Sequence, residues 1–348
     1  MKFGIFVEEM SQGLTQEEAF RETLRLSEAA EAWGLDGVWL AEMHFNPARS
    51  VLSAPLVVAG LIAGRTKRLR VGTAVHLLPL NHPLRVAGEV ATIDHLSEGR
   101  FDFGVGRSGN PRAYDALGIP YGESQARFRE ALAIIRQAWK GERFSYQGQF
   151  YRFQNAVVSP RPYQSPHPPL RMAATSAETF SMVAQLGLAA FVGLRASDVP
   201  ELKGYLGTYR QAWREAGHPG TPSAHLRIPI YAGRTEKEAL EEPREAIHYY
   251  MQRQAELTRA PVGRAGAGPA ERRQAQAKRL DSLSYEEILR KKVAFGTAAS
   301  LRDRLTELRE ELGIDGIVAE LNPGGLLPEE RVTRSLRILT HEVMPAFR

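Results

Sequence analysis

The stretch Gly99-Arg100-Phe101-Asp102-Phe103-Gly104-Val105-Gly106-Arg107 holds residue types that could bind an anion. It reads as a short buried strand, 101–105, delivering an arginine at its carboxyl end. In a parallel α/β protein that is the end where ligands are held. A guanidinium there is always charged and suits a phosphate, while glycines at 104 and 106 would let a flat ligand approach the backbone. A second anion-binding feature is Thr175-Ser176-Ala177-Glu178-Thr179, which opens a helix. Unpaired N–H groups and the helix dipole draw phosphate to such a start, and Ser176 and Thr179 add hydroxyls. A core strand trailed by a surface arginine, and ordinary helix capping, are the plain alternatives.

Eight strand-like runs must position these residues: 2–7, 37–41, 69–75, 101–105, 170–174, 189–194, 226–231 and 316–321. Several are near-continuous apolar runs, as expected where both faces are buried. Helical periodicity lies between them. Thr15 with Glu18 forms a capping box, and similar starts stand at 175–178 and 235–238. Further helices are expected at 52–62, 84–96, 123–139, 199–216, 300–312 and 328–343. Repeated β-α units predict an α/β fold, a single (β/α)8 TIM barrel over residues 1–348. A doubly wound sheet is the alternative, weakened because no Gly-x-Gly-x-x-Gly follows the first strand. Two insertions interrupt the pattern. Residues 141–169 read as a small hairpin and a proline-rich connection, and residues 251–292 as a mobile, glycine-containing loop between the seventh and eighth strands.

The 348 residues include no cysteine, which excludes disulfides, thiolate metal sites and a cysteine nucleophile. No apolar run is long enough to span a membrane, and Met1–Val7 leads directly into a strand pattern, so a soluble, cytoplasmic protein without a membrane partner is expected. The net charge of +5 is matched by ten Lys/Arg against five Asp/Glu between Arg253 and Lys292. That segment lacks interleaved aromatics, so a solvated face is expected and no nucleic acid partner. No Walker motif, His-Glu-x-x-His or nucleophile elbow occurs, and no metal site is expected.

Four segments in order resemble the bacterial luciferase-like (alkanal monooxygenase-like) flavin monooxygenases. They are Val38-Trp39-Leu40-Ala41-Glu42-Met43-His44-Phe45; Val71-Gly72-Thr73-Ala74-Val75 with Leu78-Pro79 and His82-Pro83; the 99–107 stretch; and Ala173-Ala174-Thr175-Ser176-Ala177-Glu178-Thr179. The match covers about the first 195 residues and returns more weakly from 295 to 345.

The resemblance implies a barrel that binds reduced FMN at the strand carboxyl ends, a separate flavin reductase, and a homodimer. Carried over, Arg107, Ser176, Thr179 and the N–H groups of 175 and 176 would hold the phosphate, with Ala174 beside them. Ala74 and Val75 match a non-proline cis peptide under the flavin ring. Glu42 and His44 match a catalytic or supporting acid and histidine; where luciferases carry two histidines, this chain has Met43 and His44. His76 could exchange a proton near the flavin, or be a hydrogen-bonded core residue. A second phosphate arginine of the family falls on Gln125, leaving Arg127 as a substitute. The implied reaction uses FMNH2 and O2 to oxygenate a small organic substrate, carbonyl or hydrocarbon-like, through a C4a-(hydro)peroxyflavin, under a lid at 259–283. Alternatives are a deazaflavin (F420)-dependent oxidoreductase and a non-catalytic flavin-binding protein.

Overall fold

The computed structural model describes residues 1–8 and 11–348. Twelve strands follow in chain order: β1 Lys2–Val7, β2 Gly37–Leu40, β3 Arg70–Thr73, β4 His76–Leu77, β5 Phe101–Gly106, β6 Phe144–Gln147, β7 Arg152–Ala156, β8 Leu170–Ala173, β9 Ala189–Gly193, β10 Ala224–Ala232, β11 Ala294–Gly296 and β12 Gly316–Glu320. Eight of them form a closed parallel ring, β1-β2-β3-β5-β8-β9-β10-β12, with β12 pairing back onto β1. The expected eight-strand barrel is therefore the observed one. β11 adds outside the ring along β10, and the short β4 pairs the end of β5.

The ring closes because its strands are apolar on both faces: every residue of β2, β5 and β12 is buried. Outward side chains such as Val38, Val71, Phe101 and Phe103 pack under the surrounding helices. Inside the barrel, Trp39, Phe6, Phe191 and Val318 fill the bore with Ala74 and Val75 against them. The large indole fits because its neighbours are glycines; a Cβ on Gly4 would lie 2.1 Å from the Trp39 ring. Gly104 and Gly106 make room for neighbouring chain rather than for the indole, which corrects their reading as room for a ligand. A Cβ on Gly104 would stand 1.8 Å from the Thr73 carbonyl oxygen, and one on Gly106 would stand 2.3 Å from Val75 Cγ2. The missing side chains admit the neighbouring strand.

Helix starts follow their caps. Thr15 and Glu18 form the reciprocal capping box before the helix Gln16–Ala32, and Thr235 caps Glu236–Glu241. Proline at the first position moves the expected 52–62 helix to Pro55–Arg65. The hairpin expected in 141–169 is β6–β7. The loop expected over 251–292 is overturned. It carries most of the helix Arg244–Arg259 and all of Ala270–Asp281 and Tyr285–Lys291, which share an apolar cluster including Met251, Ala277, Leu280 and Ile288. Ala277 with Leu280 at helical spacing, and the Ser284–Glu287 capping box, specified helix there. The glycines are confined to the short turn between.

Candidate active site

Arg107 leaves β5 at its carboxyl end, and its Nη1 donates to Ser124 Oγ at 3.1 Å. The Tyr114 hydroxyl donates to the Arg107 carbonyl and fixes the backbone there. The neighbouring strand is β8, since Val105 pairs with Met172, so its continuation through Ala174 and Thr175 emerges beside Arg107. Ser176 is the N-cap of the helix Ala177–Gln185; its Oγ accepts from the Thr179 N–H at 3.4 Å and lies 2.9 Å from Thr179 Oγ1. The guanidinium and the helix start thus belong to adjacent strand ends. Ser124 is the neutral partner of Arg107, and among the described residues no carboxylate lies at ion-pair distance from it.

The Ala174–Thr175 end of this pair of elements lines a chamber at the carboxyl mouth of the barrel. One wall is Ala74, Val75, Ala174 and Thr175, and the peptide bond between Ala74 and Val75 is cis. The lining also includes Phe6, Arg195, Arg227, Tyr250, Lys292 and Glu320. The apolar flat wall beside an uncompensated phosphate-type rim fits FMN.

Most of the charges are locked together. Arg227 spans Glu320 at 2.7 Å and Glu8 at 2.9 Å, with its guanidinium 3.5 Å from the centre of the Phe6 ring. Tyr250 donates to Glu320 at 3.1 Å, and Arg49 binds the other oxygen of Glu8 at 3.0 Å. Burial alone would raise the Glu8 pKa, but Arg49, Arg227 and Arg195 hold it at about 2. Lys292 donates to the Leu194 and Ser197 carbonyls and pairs with Asp198 at 2.7 Å. Arg195 is different. It keeps accessible surface in the chamber, its Nη1 donates to the Gln254 side-chain oxygen at 2.8 Å, and no carboxylate among the described residues pairs with it.

Glu42, His44 and His76 come together, but not on the chamber wall. Glu42 Oε1 is 2.6 Å from His44 Nε2; Oε2 accepts from the Leu77 N–H at 3.0 Å and lies 2.5 Å from His76 Nδ1, off the direction of a linear hydrogen bond. Burial would raise the Glu42 pKa, yet the two imidazoles and the Leu77 N–H hold it at about 2. Glu42 and His76 are buried, while the His44 side chain keeps 19% exposure. Arg127 is turned elsewhere. It pairs with Glu123 at 2.8 Å and covers the Phe150 ring at 4.4 Å, because two residues along a helix points it away from the direction of Gln125.

The sequence reading missed Arg195, Arg227, Glu320 and Lys292. The signal was present for Arg227, a lone charge inside the apolar run Leu226–Ile230, and for Glu320, an acid ending a buried strand. Arg195 and Lys292 offered no pattern, since only the fold brings 98 residues of separation to one hydrogen bond.

The chain matches the family model described as luciferase-like monooxygenase over residues 1–316. It is 28% identical over its whole length to the oxygenase component of a flavin-dependent trigonelline monooxygenase from Acinetobacter baylyi, of which it covers 96%. Among solved structures, the monooxygenase RslO1 from Streptomyces bottropensis superposes with a TM-score of 0.83 at 27% identity, each chain covered completely. The oxygenating constituent of 3,6-diketocamphane monooxygenase from Pseudomonas putida, a type II Baeyer–Villiger enzyme in complex with FMN, gives 0.82 at 21% identity, with 99% of this chain and 98% of that one covered. With the family model matching most of its length, this chain belongs to the luciferase-like monooxygenases.

Proposed function

We propose that the chain is the oxygenase component of a two-component FMN-dependent monooxygenase, receiving reduced FMN from a separate reductase. The observation that carries this is the pairing of Arg107 and the Ser176 helix start on adjacent strand ends, at the margin of a chamber walled by the cis Ala74–Val75 unit. Reduced flavin supplies the two electrons that let one atom of O2 enter the substrate while the other leaves as water. Arg107, the Ser176 and Thr179 hydroxyls and the N–H groups of Thr175 and Ser176 hold the phosphate. Ala74, Val75 and Ala174 present an apolar face to the ring. The insertion over 251–292 covers the chamber and limits water.

His44 is the group that can move a proton. Glu42 is ionised and can only accept, so His44 must present Nε2–H to it. That leaves Nδ1 of His44 as the nitrogen that can accept a proton. Glu42 and His76 position it.

The substrate is small and polar. A wall of Arg195, Arg227, Tyr250 and Glu320 disfavours a long alkyl chain, and the uncompensated Arg195 favours a molecule bearing an acid group. Self-association is also part of this reading. The helix Pro55–Arg65 exposes Val57 and Leu61 one turn apart, with Gly60 and Gly64 open beside them and Leu96 of the adjoining helix exposed as well. Such a face suits a second copy of the chain.

Anaerobic binding of reduced FMN against the reduced deazaflavin F420 tests the cofactor assignment. Reduced FMN should bind at least about tenfold tighter, because its phosphate is a free, nearly doubly charged monoester where the deazaflavin's is a singly charged, substituted diester. Equal affinity, or preference for the deazaflavin, would replace oxygenation with hydride transfer.

A further inference from the structure

We propose that Arg273, on the helix Ala270–Asp281 of the insertion, is the second guanidinium of the phosphate site and closes it from above, opposite Arg107. The inference rests on the flavin reading given under Proposed function and adds a binding residue to it.

The packing of the insertion sets its place. Ala267 is buried against Tyr114 and Tyr121, and Arg273 Nε donates to the Ala267 carbonyl. The Tyr114 hydroxyl donates in turn to the carbonyl of Arg107. A Cβ on Gly266 would lie 3.1 Å from the Cα of Gly122, two residues before the Ser124 that receives Arg107 Nη1. On the other side, Arg272 reaches the Tyr205 hydroxyl at 3.5 Å, and Tyr205 stacks at 5.4 Å on Phe180 of the helix that Ser176 caps. The turn into Ala270–Asp281 therefore bridges the Arg107 strand end and the Ser176 helix.

Charge gives the second argument. Three other arginines of the same segment have carboxylate mates: Arg259 with Asp281, Arg264 with Asp115 and Arg279 with Asp198. Arg273 has none among the described residues; its acceptor is a backbone carbonyl. Burial, and the facing Arg107, depress its proton affinity, which places two like charges in one half-buried space. Two guanidiniums without an acid between them are mutually unfavourable until an anion enters, and a phosphate monoester carries nearly two negative charges at neutral pH. Arg127 does not supply that second charge, being committed to Glu123 and Phe150.

The measurement is equilibrium binding of FMN and of riboflavin, which shares the ring and lacks the phosphate. It uses the unchanged chain, Arg273→Gln, Arg273→Lys and, as a control of equal charge change, Lys278→Gln at an exposed position of the same helix. The unchanged chain should prefer FMN strongly. Arg273→Gln should lose about tenfold of that preference through weaker FMN binding, with riboflavin affinity unaltered. Arg273→Lys should keep part of it and Lys278→Gln all of it. An FMN preference undiminished in Arg273→Gln would overturn the assignment of Arg273 while leaving the phosphate reading intact. No preference in the unchanged chain would instead remove the phosphate reading itself. Should Arg273→Gln fail to fold, trypsin cleavage after Arg259 and Arg264 in the unchanged chain decides. Protection by FMN but not by riboflavin is expected, and equal protection by both would overturn the proposal.

Discussion

Two neighbouring kinds of charge sit near the chamber, and they respond differently to change. Glu42 is held ionised by groups that exist only in the folded chain, so its folded pKa, about 2, lies below the ordinary 4.5. A depressed carboxylate pKa stabilises the fold above the unfolded value and ceases to do so as pH falls through the folded one. Glu42→Gln should therefore be destabilised by roughly 2–3 kcal/mol at neutral pH, with the gap closing from about pH 4.5 towards pH 2. Thermal unfolding of both proteins across that range checks it; a gap independent of pH would mean Glu42 acts through packing alone. Arg195 makes no ion pair and acts on Glu8 only through space, so its removal should cost folding little. Arg195→Met should raise KM for acid-bearing substrates at least about tenfold relative to their neutral amides, the usual effect of losing a charged hydrogen bond. Steady-state oxygen uptake on matched acid and amide pairs reads this out. An unchanged ratio would remove the acid-binding role.

At the scale of elements, β5 is held to β3 and β4 by the absence of side chains. Gly104→Ala should cost about 3 kcal/mol or more, because the new methyl meets the Thr73 carbonyl, which belongs to a ring strand and cannot withdraw. Denaturant unfolding measures it, and a loss below about 1 kcal/mol would show that the ring can relax. The eight strands and most helices were legible because apolar runs, Thr and Ser caps and proline starts are local signals that agree with one another. Arg107 and Ser176 were legible for the same reason: each stands immediately after a recognisable strand or before a helix. Three things were not. The close packing of β5 on the chain around Thr73 and Val75 leaves no local mark, so Gly104 and Gly106 read as room for a ligand. The insertion was judged by its glycines, although Ala277, Leu280 and the Ser284–Glu287 box already specified helix. The charged wall depends on β9, β10 and β12 meeting around a circle, which no local window contains.

For the molecule as a whole, Val57 and Leu61, with Leu96 of the adjoining helix, are exposed and make an apolar patch across two helices. Light scattering should show a dimer for the unchanged chain and a monomer for Val57→Glu with Leu61→Glu, while flavin binding by the isolated subunit persists. A monomeric unchanged chain would rule out this face as an interface. The insertion, with its separate apolar cluster, should behave as a unit that opens apart from the barrel. Leu280→Ala should speed amide exchange across 251–292 and leave exchange in β1, β2 and β12 unchanged; uniform acceleration would mean the two open together.

The bracket of Glu8, Arg227 and Glu320 joins residues 219 and 93 positions apart in the polypeptide, the arginine facing both acids. Altering any one member alone strands a charge in a poorly hydrated interior, so drift there requires coordinated double changes. Arg195 bears no such obligation. Related proteins adapting to new compounds can exchange it in a single step, and that makes position 195 the place where diversification of this lineage should begin.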